Sequence, residues 1–263
     1  MPRRRRTPRP RPTPDGAAGR LFLDPGARRP LPSLVFLSPL LAFYAFGLIW
    51  VRPDLAARAD VLVRQAIQPL GLTGILAPTW LVVIILMAWH LLRRDPTRVP
   101  PGLLGRMAVE TLVLAVPLFA ILGAAYVVFH VALSLAMPGA RAATSTGWLA
   151  VALTSIGAGI YEELLFRLLM VGGTLWLARK VLRWDSEGLV VAVVLISAGV
   201  FAGAHTLDDP TRFAWDSFLF RTAAGTYLGY VFARRGFGIA AGVHMVFDLA
   251  VKLAVVAHHT AAP

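Results

Sequence analysis

The feature that most constrains this chain is the recurrence of continuously apolar runs about as long as a bilayer core is thick. A helix needs roughly 20 apolar residues to cross that core, and runs approaching or exceeding this length recur along the 263 residues. In lipid every backbone N–H and C=O must find its partner within the protein, so only helices or a closed β-barrel can span. A barrel would show short segments alternating in polarity; these runs are apolar throughout. The chain is 57% hydrophobic and 15% charged, with a mean hydropathy of +0.67, more apolar and less charged than soluble domains. The expected fold class is an all-α polytopic membrane protein. The absence of cysteine removes disulfides, thiolate nucleophiles and Cys-ligated zinc together.

Seven spans are expected, at residues 31–51, 72–92, 107–137, from Trp148 onward, 188–205, 213–233 and 237–257. A polar piece, 52–70, follows the first, with Asp54, Arg58, Asp60 and Arg64 near helical spacing. The stretch LLMVGGTLWLARKVLR, 168–183, extends the fourth helix, lies in the interface, or crosses separately as an eighth span. An eighth crossing would spoil the alternation of basic and less basic connections, so a long or bent fourth helix is preferred. The organisation is then a tail (1–30), N-terminal membrane helices (31–146), a motif-bearing membrane domain (147–257) and a short end (258–263).

Net charge is +12, distributed unevenly. Nine arginines lie in residues 1–30, Arg93, Arg94, Arg98 and Arg106 follow the second span, Arg179, Lys180 and Arg183 the fourth, and Arg234 and Arg235 the sixth. The opposite connections are poorer in basic residues. Cytoplasmic loops collect Lys and Arg, so the expectation is a multi-pass protein of the cell membrane, N-terminus cytoplasmic and C-terminus outside. The Arg- and Pro-rich tail cannot bury a core and is expected to be disordered. Its expected partner is anionic lipid, in preference to nucleic acid.

Against this background the stretch YEELLFR stands out. Charges within an apolar span are costly and mark function by default. Glu163 and Arg167 are four apart and share a helix face, while Glu162 points roughly 100° away. Two later spans carry FAGAH, ending at His205, and HMVFD, with His244 and Asp248 four apart. His90 and His130 lack such company and are assigned to packing; His258 and His259 to a solvated end. Three uses suit the set. A glutamate and a histidine can deprotonate a water while the other polar pair stabilises an oxyanion. Alternatively His205, His244 and a carboxylate, Glu162 or Asp248, can ligate zinc; without an HExxH this is the weaker option, and no cofactor is favoured. The third is a transporter's proton relay. Beginning the fourth helix at Trp148 sets Glu162 about 21 Å from its outer end, yet His205 falls near the outer end of its own span. The boundaries must shift or the helices bend.

EELLFR, FAGAH and HMVFD, in that order on three apolar helices over residues 147–253, resemble the EExxxR, FxxxH and HxxxN/D motifs of the CPBP (Abi) family of CAAX prenyl endopeptidase-like intramembrane proteases. GTYLGYVFARRGFGIAAGVH, with Gly225 and Gly229, is similar to the family's approach to its third motif, and the G-x-x-x-G spacing suits close helix packing. The resemblance implies an all-helical membrane fold with the active site between helices, and hydrolysis of a peptide bond in a membrane-associated protein or peptide, with Glu162 as the base assisted by His205, Glu163 and Arg167 shaping the site, and His244 and Asp248 stabilising the oxyanion. An ionised Asp248 cannot donate a hydrogen bond, so it must be protonated, act through His244, or serve elsewhere, for instance on a metal. The family also includes proteins proposed to confer bacteriocin immunity or to bind partners without proteolysis.

Overall fold

The computed structural model describes residues 25–51, 53–129, 147–206 and 214–261. Most of the basic tail, His130 and the far end of the expected third span lie outside the described residues, as do the side chains of His258 and His259. The described residues form eight helices and no strand: α1 (Pro30–Trp50), α2 (Arg58–Ile67), α3 (Ala77–Arg93), α4 (Leu103–Phe129), α5 (Gly147–Leu182), α6 (Glu187–Thr206), α7 (Trp215–Arg235) and α8 (Phe237–Ala261). Helices α1, α4, α5, α6 and α8 are long and apolar enough to cross a membrane. The chain is a multi-pass membrane protein. The shorter α3 has 17 residues, and α7 carries Asp216, Arg221, Arg234 and Arg235; seven crossings require both to join the five.

Two boundaries depart from expectation. The second span begins at Ala77, not 72, because Gly71 adopts a left-handed conformation (φ +80°) that closes a turn of 3-10 helix over Gln68–Leu70, and Pro78 suits a helix start. Arg235, expected to be a loop cation, is instead 8% exposed and pairs in bidentate fashion with Glu110, two turns into α4. Buried charge persists only when paired, and the ends of α4 and α7 meet at one level where a carboxylate is available.

Residues 168–183 extend the fourth helix. From Glu163 to Gly172 its turns widen to π type, and again from Ala178 to Leu182; such widening often marks functional sites. This long helix removes the depth conflict. Gly172 lies against Phe232, near the end of α7, and α5 runs about 15 Å further, burying Leu175 and Ala178, before the connection to α6. Ser197 donates to the Phe166 carbonyl at 2.8 Å, and the Phe166 and Phe201 rings meet edge to face. That register brings His205, one residue from the end of α6, level with Glu162. Glu162 is about 22 Å from Gly147 and about 30 Å from Leu182 along the helix.

Small residues set the spacing of the helices. Gly225 faces Ala198 and Phe201, and Gly229 faces Val194, so α6 and α7 pack along the G-x-x-x-G row. Gly159 lies against the backbone of α8 at Ala241 and Met245, and Gly242 against Thr111 of α4. Helices α7 and α8 join through Gly236 alone, at φ +84°, a conformation glycine adopts without penalty.

The segment between α1 and α3 is pinned over the bundle. The Tyr44 hydroxyl donates to Asp60 at 2.8 Å and accepts from the Ala57 N–H at 2.9 Å. Burial pushes the Asp60 carboxyl above the usual range, while Tyr44 and Arg64 act against that rise. Residues 54–58 are thereby held over a cavity in the bundle.

Candidate active site

All six polar residues singled out in the three motifs converge. Glu163 and Arg167, one turn apart on α5, are fully buried and pair at 3.1 Å. Arg167 also donates through Nη2 to the Gly225 carbonyl at 3.2 Å, and its guanidinium lies 4.6 Å from the Phe201 ring centre. A planar cation over an aromatic face is favourable, more so when desolvated. Arg167 thus ties α5 to both α6 and α7.

Glu162 turns the other way. Its Oε1 is 3.4 Å from His205 Nε2 and its Oε2 is 3.7 Å from His244 Nε2. His205 Nδ1 lies 2.9 Å from the Phe201 carbonyl. A carbonyl only accepts, so Nδ1 carries the proton and donates, leaving Nε2 directed at Glu162. His244 Nδ1 contacts Glu163 Oε1 at 2.9 Å, so Glu163 links Arg167 to His244. His244 Nε2 is also 3.7 Å from Asp248 Oδ1, and Asp248 Oδ2 receives the Lys252 ammonium at 3.0 Å.

Glu162, His205, His244, Asp248 and Lys252 line a cavity of about 370 Å³. It runs from Glu162 along α5 to Ala158 and Thr154, and from His244 along α8 to Asp248 and Lys252. Apolar walls come from Leu118, Phe220 and Phe247, and residues 54–58 close one side. The cavity therefore extends toward the end of the bundle opposite the Glu110–Arg235 pair. It combines an apolar body with a few convergent polar groups, the usual character of a small-molecule or peptide site.

Lys252 and Arg221 were not singled out in the sequence, although both line this cavity and are buried. A signal existed for each: a cation within a largely apolar helix is as costly as the glutamates that drew notice. Arg221 donates to Ser217 Oγ one turn before it. Asp54 and Arg58 also reach the cavity from the polar segment. His90 is buried on α3 and outside the cavity lining.

Among the described residues, no group of three or more His, Asp or Glu side chains is placed to hold a metal ion. His205 and His244 approach opposite oxygens of Glu162, and His244 Nδ1 is engaged by Glu163.

No curated protein and no solved structure matches the chain. A protein-family model does: residues 144–250 match the type II CAAX prenyl endopeptidase Rce1-like family. The match encloses all three motifs, and with them Glu162, His205, His244 and Asp248 of the cavity lining; Lys252 lies just beyond its end. This match supports the CPBP family of CAAX-protease-like membrane proteins for residues 144–250.

Proposed function

We propose that this protein is an intramembrane endopeptidase that hydrolyses a peptide bond of a membrane-associated protein or peptide, using water activated by Glu162 and His205. The observation that carries the proposal is the Glu162 carboxylate held between two imidazoles, 3.4 Å and 3.7 Å away, beside a cavity of about 370 Å³. Glu162 takes a proton from water as the water oxygen attacks the carbonyl carbon. His205, with Nδ1 fixed on the Phe201 carbonyl, shares that proton through Nε2 and returns it to the departing amine. Glu163, held by Arg167, positions His244 beside the reacting carbonyl. Each proton shift lies within reach of general acid–base catalysis, which contributes typically 10²–10⁴-fold. The arrangement of donors favours a metal-independent mechanism.

The basic connections favour a cytoplasmic N-terminus in the cell membrane. With that orientation the cavity lies toward the non-cytoplasmic side, where Trp50, Trp148 and Trp215 stand exposed at the helix ends, as interfacial tryptophans do. The expected substrate is then a peptide presented from the outer leaflet or beyond, while the arginine-rich tail binds anionic lipid on the inner face.

The test uses the full chain in liposomes with a library of fluorogenic membrane-associated peptides. Cleavage is expected from the native protein, and Glu162→Gln should abolish it without loss of membrane insertion. Retention of near-normal turnover by Glu162→Gln would remove Glu162 as the base and move attention to Glu163.

A further inference from the structure

The proposed hydrolysis develops negative charge on the substrate carbonyl oxygen, and such charge needs preorganised donors aimed at it. Asp248 is placed as an acceptor instead: its Oδ2 receives the Lys252 ammonium at 3.0 Å. The two side chains are equally buried, each 9% exposed. Lys252 is only five residues from Ala257, the end of the apolar stretch of α8. A lysine so placed would ordinarily extend its stem toward the interface and keep its charge in water. This one turns back into the cavity that holds Glu162, His205 and His244.

The spacing explains why it arrives there. His244, Asp248 and Lys252 are successive members of one i, i+4 row on α8. The His244 end of that row faces Glu162, and the Lys252 end lies further along the same cavity. An ammonium carries three N–H donors, so a single contact to Asp248 does not exhaust it.

We propose that Lys252 is the cationic donor of the oxyanion site, its ammonium aimed by Asp248. The proposal rests on the proteolytic reading of the site. As the water oxygen bonds to the carbonyl carbon, its proton passes to Glu162 and the C=O π pair moves onto oxygen. Lys252 donates a hydrogen bond to that oxyanion, beside His244, and keeps its proton. The pair then re-forms C=O, the C–N bond breaks, and its electrons remain on nitrogen, which takes that proton back through His205. Water is the only co-reactant. The aspartate at the end of the third motif aims a donor that its own carboxylate cannot supply.

The experiment uses the full chain in liposomes, a fluorogenic peptide that it cleaves, and the phosphinate isostere of that peptide as a mimic of the tetrahedral intermediate. Lys252→Met should lower kcat about 10²–10³-fold, the effect of losing one oxyanion donor. KM should stay within about threefold, and phosphinate binding should weaken in parallel with kcat. Asp248→Ala/Lys252→Met removes both members of the pair and should lose as much. If Lys252 merely neutralises Asp248, removing both partners should restore kcat, and that recovery overturns the proposal. So does an unchanged kcat or unchanged phosphinate binding in Lys252→Met. Should Lys252→Met fail to fold, the double variant decides. A folded native protein that cleaves no peptide overturns the proteolytic reading and this proposal together. A native protein that is active, with Glu162→Gln inactive and the double variant active, overturns only the role of Lys252.

Discussion

Gly159 offers a test of the packing that builds the site. A Cβ there would lie 2.9 Å from the Ala241 carbonyl oxygen, 2.9 Å from the Met245 nitrogen and 2.8 Å from the Met245 Cβ. Two of these are backbone atoms, which cannot swing aside, so Gly159→Ala must push α5 and α8 apart by several tenths of an ångström. Gly199→Ala on α6 is the matched control, since a Cβ there meets nothing within 4 Å. Both changes gain the helix preference of alanine over glycine, about 0.5–1 kcal/mol. That gain cancels in the comparison and leaves the overpacking cost, about 1–3 kcal/mol. Gly159→Ala should therefore unfold at lower temperature than Gly199→Ala in the same detergent, by roughly 2–4 °C for each kcal/mol. The effect on turnover should be larger than on stability. Gly159 is three residues from Glu162, and Met245 adjoins His244, so the displacement falls on the contact between the base and its imidazole. A misplacement near 1 Å can cost about 10²-fold in rate. Equal unfolding temperatures and equal turnover for the two variants would refute the close approach of α5 to α8, and with it the geometry assigned to Glu162 and His244.

Three further outcomes are expected. Glu110→Gln leaves the buried Arg235 without its charged partner and should cost about 3–5 kcal/mol, measured by thermal unfolding, whereas His90→Ala should leave turnover near normal. Prolonged chelation should leave the activity of the purified protein intact; loss of activity that zinc restores and magnesium does not would make Asp248 a ligand. Single Pro2→Cys, Arg98→Cys, Ala142→Cys, Asp209→Cys and Ala262→Cys variants of this Cys-free chain should react with an impermeant thiol reagent in intact cells at 142, 209 and 262, and not at 2 or 98. Labelling at 98 but not at 142 would invert the map.

Local chemistry and the bilayer are the two constraints that the sequence by itself carries to a conclusion. Apolar runs of spanning length demand helices, because lipid offers the backbone no partners. Within one helix, spacing fixes neighbours: Glu163 meets Arg167, and His244, Asp248 and Lys252 fall in a row, because residues four apart share a face. The same row made Lys252 legible in principle, one turn past the last residue of the third motif. What periodicity could not supply is the register between helices. That His205 stands level with Glu162 was decided by α5 running some ten residues past Gly172, by the Ser197 hydrogen bond to Phe166, and by glycines that admit a neighbouring helix at 159, 225 and 229. Arg235 reads as a loop cation until the fold sets Glu110, 125 residues away in sequence, opposite it. Residues 54–58 read as a polar connection until the Tyr44 hydroxyl fixes them over the cavity. Each of these contacts joins residues distant in sequence, and their pairing is set by how side chains of particular volume interlock between helices, a property of the packed bundle and of no single segment.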